Sequence, residues 1–64
     1  MARHEPNDVL VRLRGAKSRA EVAEAVGITE RALQSYELGE RIPRDDVKRR
    51  LAEYYHRTVG HIFF

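Results

Sequence analysis

Just before the middle of the chain, one stretch contains the start and stop signals of two short helices. Ser18 followed three residues later by Glu21 forms a capping box, which typically begins a helix. Gly27 lies where the end of that helix requires positive φ, and Thr29 can cap a second helix two residues later. We expect the second helix over residues 30–38. Two helices around a short glycine-containing turn indicate a helix-turn-helix geometry.

The residues before this stretch predict one more helix. Pro6 suits the first position of a helix, and Asn7 is acceptable in its first turn. We expect this helix to run to about Arg14, because an apolar stripe follows the start. The stripe consists of Val9, Leu10 and Leu13.

The residues after the stretch predict two further helices. Pro43 cannot continue a helix, so a loop separates residue 39 from a fourth helix at about 45–55. Thr58 can cap a short fifth helix over 59–63. No run alternates with period two, and we therefore expect an all-α protein.

The size of the chain limits the possible function classes. We expect its 64 residues to form a single domain, 1–64, in which residues 1–5 are a flexible tail. The absence of cysteine excludes disulfides and thiolate metal sites. No stretch approaches the roughly 20 apolar residues of a membrane span, and the amino end does not resemble a signal peptide. We expect a cytoplasmic protein with no membrane partner.

Catalysis is not expected from this sequence. His4, His56 and His61 lack metal-ligand spacing, and no glycine-rich phosphate loop or nucleophile motif occurs. We therefore predict no enzyme activity, no metal, no cofactor and no small-molecule ligand. The formal charge of +2 is too small to indicate a nucleic-acid partner by itself.

The order of residues across the chain resembles the helix-turn-helix domains of the lambda-repressor and Cro type, the XRE regulator family. The resemblance covers nearly everything after Val9. The residues that carry it are Ala23, Gly27, Ile28, Thr29, Leu33, Tyr36, Glu37 and Gly39, followed by 41–45, 51–55 and 62–64. It implies a five-helix, lambda-repressor-like DNA-binding domain with the helix-turn-helix at about 19–38. It also implies a bacterial chromosome, prophage or mobile element as the setting.

The resemblance also raises two structural questions. In relatives, an arginine of helix one often pairs with the glutamate late in helix three, which here is Glu37. Its partner is either Arg14 or Arg12, and we favour Arg14 because that alignment places Leu10 and Leu13 in the core. His56 occupies the place of a capping glycine, although histidine tolerates positive φ less well.

The helix over 30–38 is expected to read DNA, because the second helix of this motif enters the major groove. By resemblance, Glu30, Arg31 and Ser35 match the base-reading positions, with Gln34 beside them. Arginine can bind guanine O6 and N7, glutamine can bind adenine, and glutamate can accept from cytosine N4.

Phosphate contacts are expected from the flanks of the reading helix. The free amides at a helix start attract anions, and arginine side chains near the motif add positive charge. The candidates are Ser18, Arg19, Thr29, Arg41 and Arg44.

The resemblance implies that about half of the aromatic carboxyl end, namely the isoleucine and one phenylalanine, is ordinary core under helices one and four. The remainder suggests self-association. The candidate dimer surface consists of Tyr55, Ile62, Phe63 and Phe64. A dimer would favour a palindromic operator, and we expect a transcriptional regulator, in particular a repressor, acting on double-stranded DNA as a homodimer. The alternative is a protein-interaction module, such as an antitoxin-like partner that uses the same aromatic face.

Overall fold

The computed structural model describes residues 6–64, so the predicted tail over 1–5 lies outside the described residues. This part of the chain forms five α-helices and no strand. The helices are α1 (Asp8–Arg14), α2 (Arg19–Val26), α3 (Glu30–Leu38), α4 (Asp45–Tyr55) and α5 (Val59–Phe63). The prediction of an all-α, five-helix fold is confirmed.

Local capping determines where most of these helices begin. The Ser18 Oγ accepts a hydrogen bond from the Glu21 amide at 3.0 Å, and the Thr29 Oγ1 accepts one from the Ala32 amide at 3.0 Å. Thr58 caps α5 in the same way. Each hydroxyl satisfies an amide that has no partner inside its helix, which explains the predicted starts.

The beginning of α1 differs from the prediction. Asn7 is the N-cap of α1 instead of a first-turn residue, because its Oδ1 accepts from the Leu10 amide at 3.0 Å. Pro6 therefore precedes the helix. The Asn7 Nδ2 donates to the Ile62 carbonyl oxygen at 3.0 Å, and the Asn7 backbone N–H donates to the Glu37 carbonyl oxygen at 2.9 Å. This one residue connects α1 with α3 and α5.

The end of α4 answers the question about His56. This histidine adopts the left-handed conformation, with φ 58° and ψ 44°, in the place that glycine usually takes. Its amide donates to the Glu53 carbonyl oxygen at 3.2 Å, and the Arg57 amide donates to the Ala52 carbonyl oxygen at 3.0 Å. These two bonds form a Schellman ending, so α4 ends here despite the strain on a non-glycine residue.

The core lies between α2, α4 and the inner face of α3. Helix α2 packs on α3 and α4, while α1 packs on α3 and α5 packs on α4. The apolar residues that fill this space are Leu10, Val22, Val26, Leu33, Tyr36, Val47, Leu51, Ala52, Tyr55 and Ile62. One face of α3 is therefore fixed against the rest of the protein.

Burial corrects part of the predicted dimer surface. Tyr55 is 8% exposed and Ile62 is 4% exposed, and both belong to the core. Their apolar surface is already covered by this chain, so neither can offer it to a second copy. Phe63 is half-buried, whereas Phe64 is 90% exposed. Of the four predicted residues, Phe63 and Phe64 remain candidates.

Candidate nucleic-acid interface

Helix α3 presents one polar face to solvent. Glu30, Arg31 and Gln34 are exposed, and Ser35 is half-buried. Their positions i, i+1, i+4 and i+5 share one side of a helix. The structure therefore brings the four candidate base-reading residues onto one surface.

The opposite face of α3 holds this surface in place. Leu33, Tyr36 and Glu37 are buried on that side. The helix ends in a Schellman motif at Gly39, whose φ is 76°, with the Glu40 amide donating to the Ser35 carbonyl oxygen at 2.9 Å. Anchoring along the inner face and at the end makes α3 a rigid support for its exposed side chains.

The turn before α3 fixes its distance from α2. Gly27 has φ 86°, a conformation that glycine adopts without strain. The Gly27 and Ile28 amides both donate to the Ala23 carbonyl oxygen, at 2.8 and 2.9 Å. Only Thr29 then separates this turn from the first residue of α3, so the two helices of the motif are closely coupled.

Two predicted phosphate-binding residues, Ser18 and Thr29, are exposed N-caps. Each hydroxyl oxygen already accepts a backbone hydrogen bond, and its proton is still available to donate. Unlike the carboxylate of an Asp cap, a hydroxyl cap also adds a donor at the positive end of a helix dipole. Both residues can therefore serve an anion without giving up their caps.

The predicted arginines after α3 occupy different environments. The Arg41 guanidinium lies 5.9 Å from the centroid of the Tyr36 ring, a cation–π distance that keeps it near the end of α3. The Arg44 side chain is 87% exposed, and its Nε is 3.9 Å from the Asp46 Oδ1, too far for a hydrogen bond. Arg44 is consequently the freer of the two cations.

Glu37 is a buried carboxylate at the junction of α1, α2 and α3. It is 1% exposed and pairs with Arg14, whose Nε donates to Oε2 at 2.7 Å and whose Nη2 donates to Oε1 at 3.2 Å. The prediction of Arg14 over Arg12 is confirmed. The hydrogen bond with Glu37 raises the pKa of Arg14, and this effect outweighs the opposing effect of burial.

A second arginine also binds Glu37. The Arg19 Nε donates to the Glu37 Oε1 at 3.0 Å, a contact that the sequence did not reveal. Arg19 was predicted to bind phosphate from the start of α2. The structure places it there, at the first position of α2, with one of its donors turned inward to the carboxylate.

Tyr55 lies close to this ionic cluster. Burial is the main cause that raises the pKa of Tyr55 to about 12, and the negative charge of Glu37 adds to the effect. Its ring meets the Tyr54 ring edge to face, with centroids 5.1 Å apart. The Tyr54 hydroxyl accepts from the Lys17 Nζ at 3.2 Å, so the aromatic pair reaches from the core to the connection between α1 and α2.

An apolar surface lies apart from the reading face of α3. It comprises Ile42, 55% exposed, with Phe63 and Phe64, and it borders a groove of about 480 Å³ beside the start of α1. The Lys48 Nζ lies 4.8 Å from the Phe64 ring centroid and 5.7 Å from that of Phe63. We refer to these three apolar residues as the carboxyl-end patch. Ile42 was missed from the sequence because its loop has no periodic pattern.

Comparison with known proteins identifies the architecture. A family model described as helix-turn-helix matches residues 10–62, which includes all of α2, α3 and α4. The chain belongs to this helix-turn-helix family, of the lambda-repressor or XRE type. No curated protein and no solved structure gives a significant match.

Membership of the helix-turn-helix family indicates a DNA-binding regulator of transcription. The two helices of the motif are α2 and α3, as the spacing of caps and glycines predicts. Within residues 6–64, no three His, Asp or Glu side chains form a group that could hold a metal ion. In the same range, no helix combines the length and apolar character needed to span a bilayer.

Proposed function

We propose that this helix-turn-helix protein is a transcriptional repressor that binds a palindromic operator as a homodimer. The observation that carries the proposal is the exposed polar face of α3, which stands on a buried and doubly capped support. A rigid helix with a polar face fits the major groove of B-DNA. The family supports a setting on bacterial chromosomal, prophage or other mobile DNA in the cytoplasm.

Base recognition is assigned to the first turns of α3. Arg31 is exposed and has no salt bridge within residues 6–64, so both ends of its guanidinium fork are available for guanine O6 and N7. Gln34, one turn further along, suits adenine, while Ser35 can bond to several base edges. Glu30 suits cytosine N4 and repels phosphates that approach in a wrong register.

The DNA backbone is assigned to residues on both sides of α3. Ser18, Arg19 and Thr29 lie at the positive ends of α2 and α3, where free amides favour phosphate. Arg41 and Arg44 follow α3 in the chain and extend the basic surface. Such contacts fix the register of the protein on DNA but do not read sequence.

The homodimer is assigned to the carboxyl-end patch. Phe64 and Ile42 expose apolar area next to the half-buried Phe63, and an exposed apolar patch is typical of an association surface. A two-fold dimer would place its reading helices about 34 Å apart, one turn of B-DNA. The operator would then be a palindrome with that spacing.

Selection of random duplex DNA at two salt concentrations tests the proposal, with binding followed by fluorescence anisotropy. We expect enrichment of a palindrome and a steep loss of affinity with salt. Arg31→Ala should weaken binding to the selected operator by about 10- to 100-fold and relax preference at one base pair, because a bidentate base contact is lost.

Arg12→Ala is the matched control for this experiment. It removes the same charge from an exposed position on α1 and should change affinity by about two-fold or less, without altering sequence preference. The proposal is contradicted if Arg31→Ala leaves both affinity and sequence preference unchanged.

One observation favours a second candidate function. The 90% exposure of Phe64 also suits docking on a different protein, as in an antitoxin-like interaction module. In that case Phe64→Ala should abolish partner binding with little dependence on salt, and random-duplex selection should enrich no sequence.

A further inference from the structure

We propose that Glu37 positions the Arg19 guanidinium for a DNA backbone phosphate, in addition to joining α1 to α3. The inference rests on the DNA binding proposed above and assigns to a buried carboxylate a part in that binding. Its basis is the unequal way in which two arginines share Glu37.

Arg14 is fully engaged within the protein. It contacts both Glu37 carboxylate oxygens, and its Nη1 donates to the Lys17 carbonyl oxygen at 2.8 Å. Its side chain is only 17% exposed. With all three guanidinium nitrogens bound, Arg14 compensates the buried charge of Glu37 and has little left to offer a ligand.

Arg19 is engaged at one nitrogen only. Its Nε donates to the Glu37 Oε1, and neither Nη atom has a hydrogen-bond partner among residues 6–64. Its side chain is 37% exposed. Because Arg14 already balances the single carboxylate, the charge of Arg19 is in excess at this point of the surface.

The contact with Glu37 fixes where that excess charge lies. A guanidinium is planar and rigid, so holding Nε in place also fixes the directions of the four Nη hydrogens. Arg19 is the first residue of α2, where the amides of the first helical turn also favour an anion. An anchored fork loses less side-chain freedom when it binds a phosphate than an unanchored arginine does.

The first test compares Arg19→Lys with Arg12→Lys on a duplex that lacks the operator and on the selected operator. Lysine keeps the charge but cannot bridge a carboxylate and a phosphate as a planar fork does. We expect Arg19→Lys to weaken binding to both duplexes by about five-fold or more, within the range of couplings between contacting residues. Arg12→Lys, at an exposed arginine of α1 outside the proposed DNA interface, should change affinity by about two-fold or less.

The second test uses the sign of the effect of Glu37→Gln. Removal of a negative charge from a DNA-binding protein should tighten binding if charge alone matters. Positioning predicts the opposite, namely weaker binding in the Arg19 protein and no weakening in the Arg19→Ala background. Circular dichroism at the binding temperature gives the folded fraction, and if Glu37→Gln does not fold, Arg19→Lys alone decides.

The inference is overturned if Arg19→Lys binds both duplexes as well as the wild type does. It is also overturned if folded Glu37→Gln binds more tightly, or weakens binding equally in both backgrounds. These results differ from failure of the proposed function, in which the wild-type protein itself shows no duplex binding. They also differ from failure of operator recognition alone, in which binding occurs without any enriched sequence.

Discussion

The Tyr55 hydroxyl is the one buried side-chain polar atom within residues 6–64 that has no hydrogen-bond partner. Its ionisation is suppressed in the folded protein, where the pKa is raised to about 12 from 10.0. As pH rises between these values, the unfolded chain loses this proton before the folded protein does. The free energy of unfolding should therefore be unaffected by this group below pH 10 and should fall between pH 10 and 12.

Tyr55→Phe tests that dependence. It should be neutral or stabilising at pH 7, within about 1 kcal/mol, because a buried hydroxyl without a partner is removed. It should also flatten the alkaline part of the stability curve, measured by urea unfolding between pH 7 and 12. Tyr54→Phe is the control, since Tyr54 is half-buried and its hydroxyl has a hydrogen-bond partner, the Lys17 Nζ. Equal alkaline slopes for Tyr55→Phe and the wild type would contradict the assignment.

At the same residue scale, the sequence predicted only part of the ionic cluster. Arg14 and Glu37 could be paired because the apolar stripe of α1 determines which arginine points towards α3. The Arg19 contact depends on the distance and angle between α2 and α3, which no local pattern encodes. The four residues of α3 proposed to read bases could be chosen because helical spacing separates its exposed face from its buried one.

At the scale of the helix, His56 carries a strain that can be removed. His56→Gly should stabilise the protein by about 0.5–1 kcal/mol, because the left-handed conformation is unfavourable for a residue with a Cβ.

Gly27→Ala is the converse change at φ 86°, and an added Cβ there would meet only the Arg50 Nη1 at 3.6 Å. It should destabilise by about 1 kcal/mol through backbone strain alone. Thermal unfolding measures both, and a lower Tm for His56→Gly would contradict the prediction.

Helix boundaries were predictable where the capping signal was local. Ser18, Thr29 and Thr58 each cap an amide three residues away, so the sequence contains all that determines these starts. The start of α1 was misplaced by contrast. Pro6 and Asn7 are both acceptable near a helix start, and the choice follows from contacts that Asn7 makes with distant parts of the chain.

At the scale of the whole molecule, the carboxyl-end patch determines whether copies associate. Phe64→Ser should weaken a homodimer by about ten-fold or more, because it removes a large exposed aromatic from the proposed interface. Thermal stability of the monomer should change little, since Phe64 is 90% exposed. Sedimentation at several protein concentrations measures the effect. Val11→Ser, at an exposed apolar residue on α1, is the control and should leave association unchanged.

The sequence could not assign every residue of the aromatic carboxyl end to the core or to the surface. Tyr55 and Phe64 belong to the same cluster in the chain, yet one is buried and the other projects into solvent. Both are aromatic residues near the carboxyl end, so residue type and position in the chain do not separate them. The difference arises from the short α5, which packs on α4 and buries Ile62, while Phe64 follows the end of this helix and projects into solvent.

The three contacts of Asn7 have a consequence for how the protein opens. Its side chain caps α1 and donates to the Ile62 carbonyl oxygen, while its backbone N–H donates to the Glu37 carbonyl oxygen. Loss of α5 therefore removes a support of α1 as well, although the two helices are far apart in sequence. The two outer helices should behave as a single cooperative unit, with amide protons that exchange with solvent at a shared opening free energy. The reading helix packs on both α2 and α1, so it keeps its contact with α2 and loses that with α1 when this unit opens.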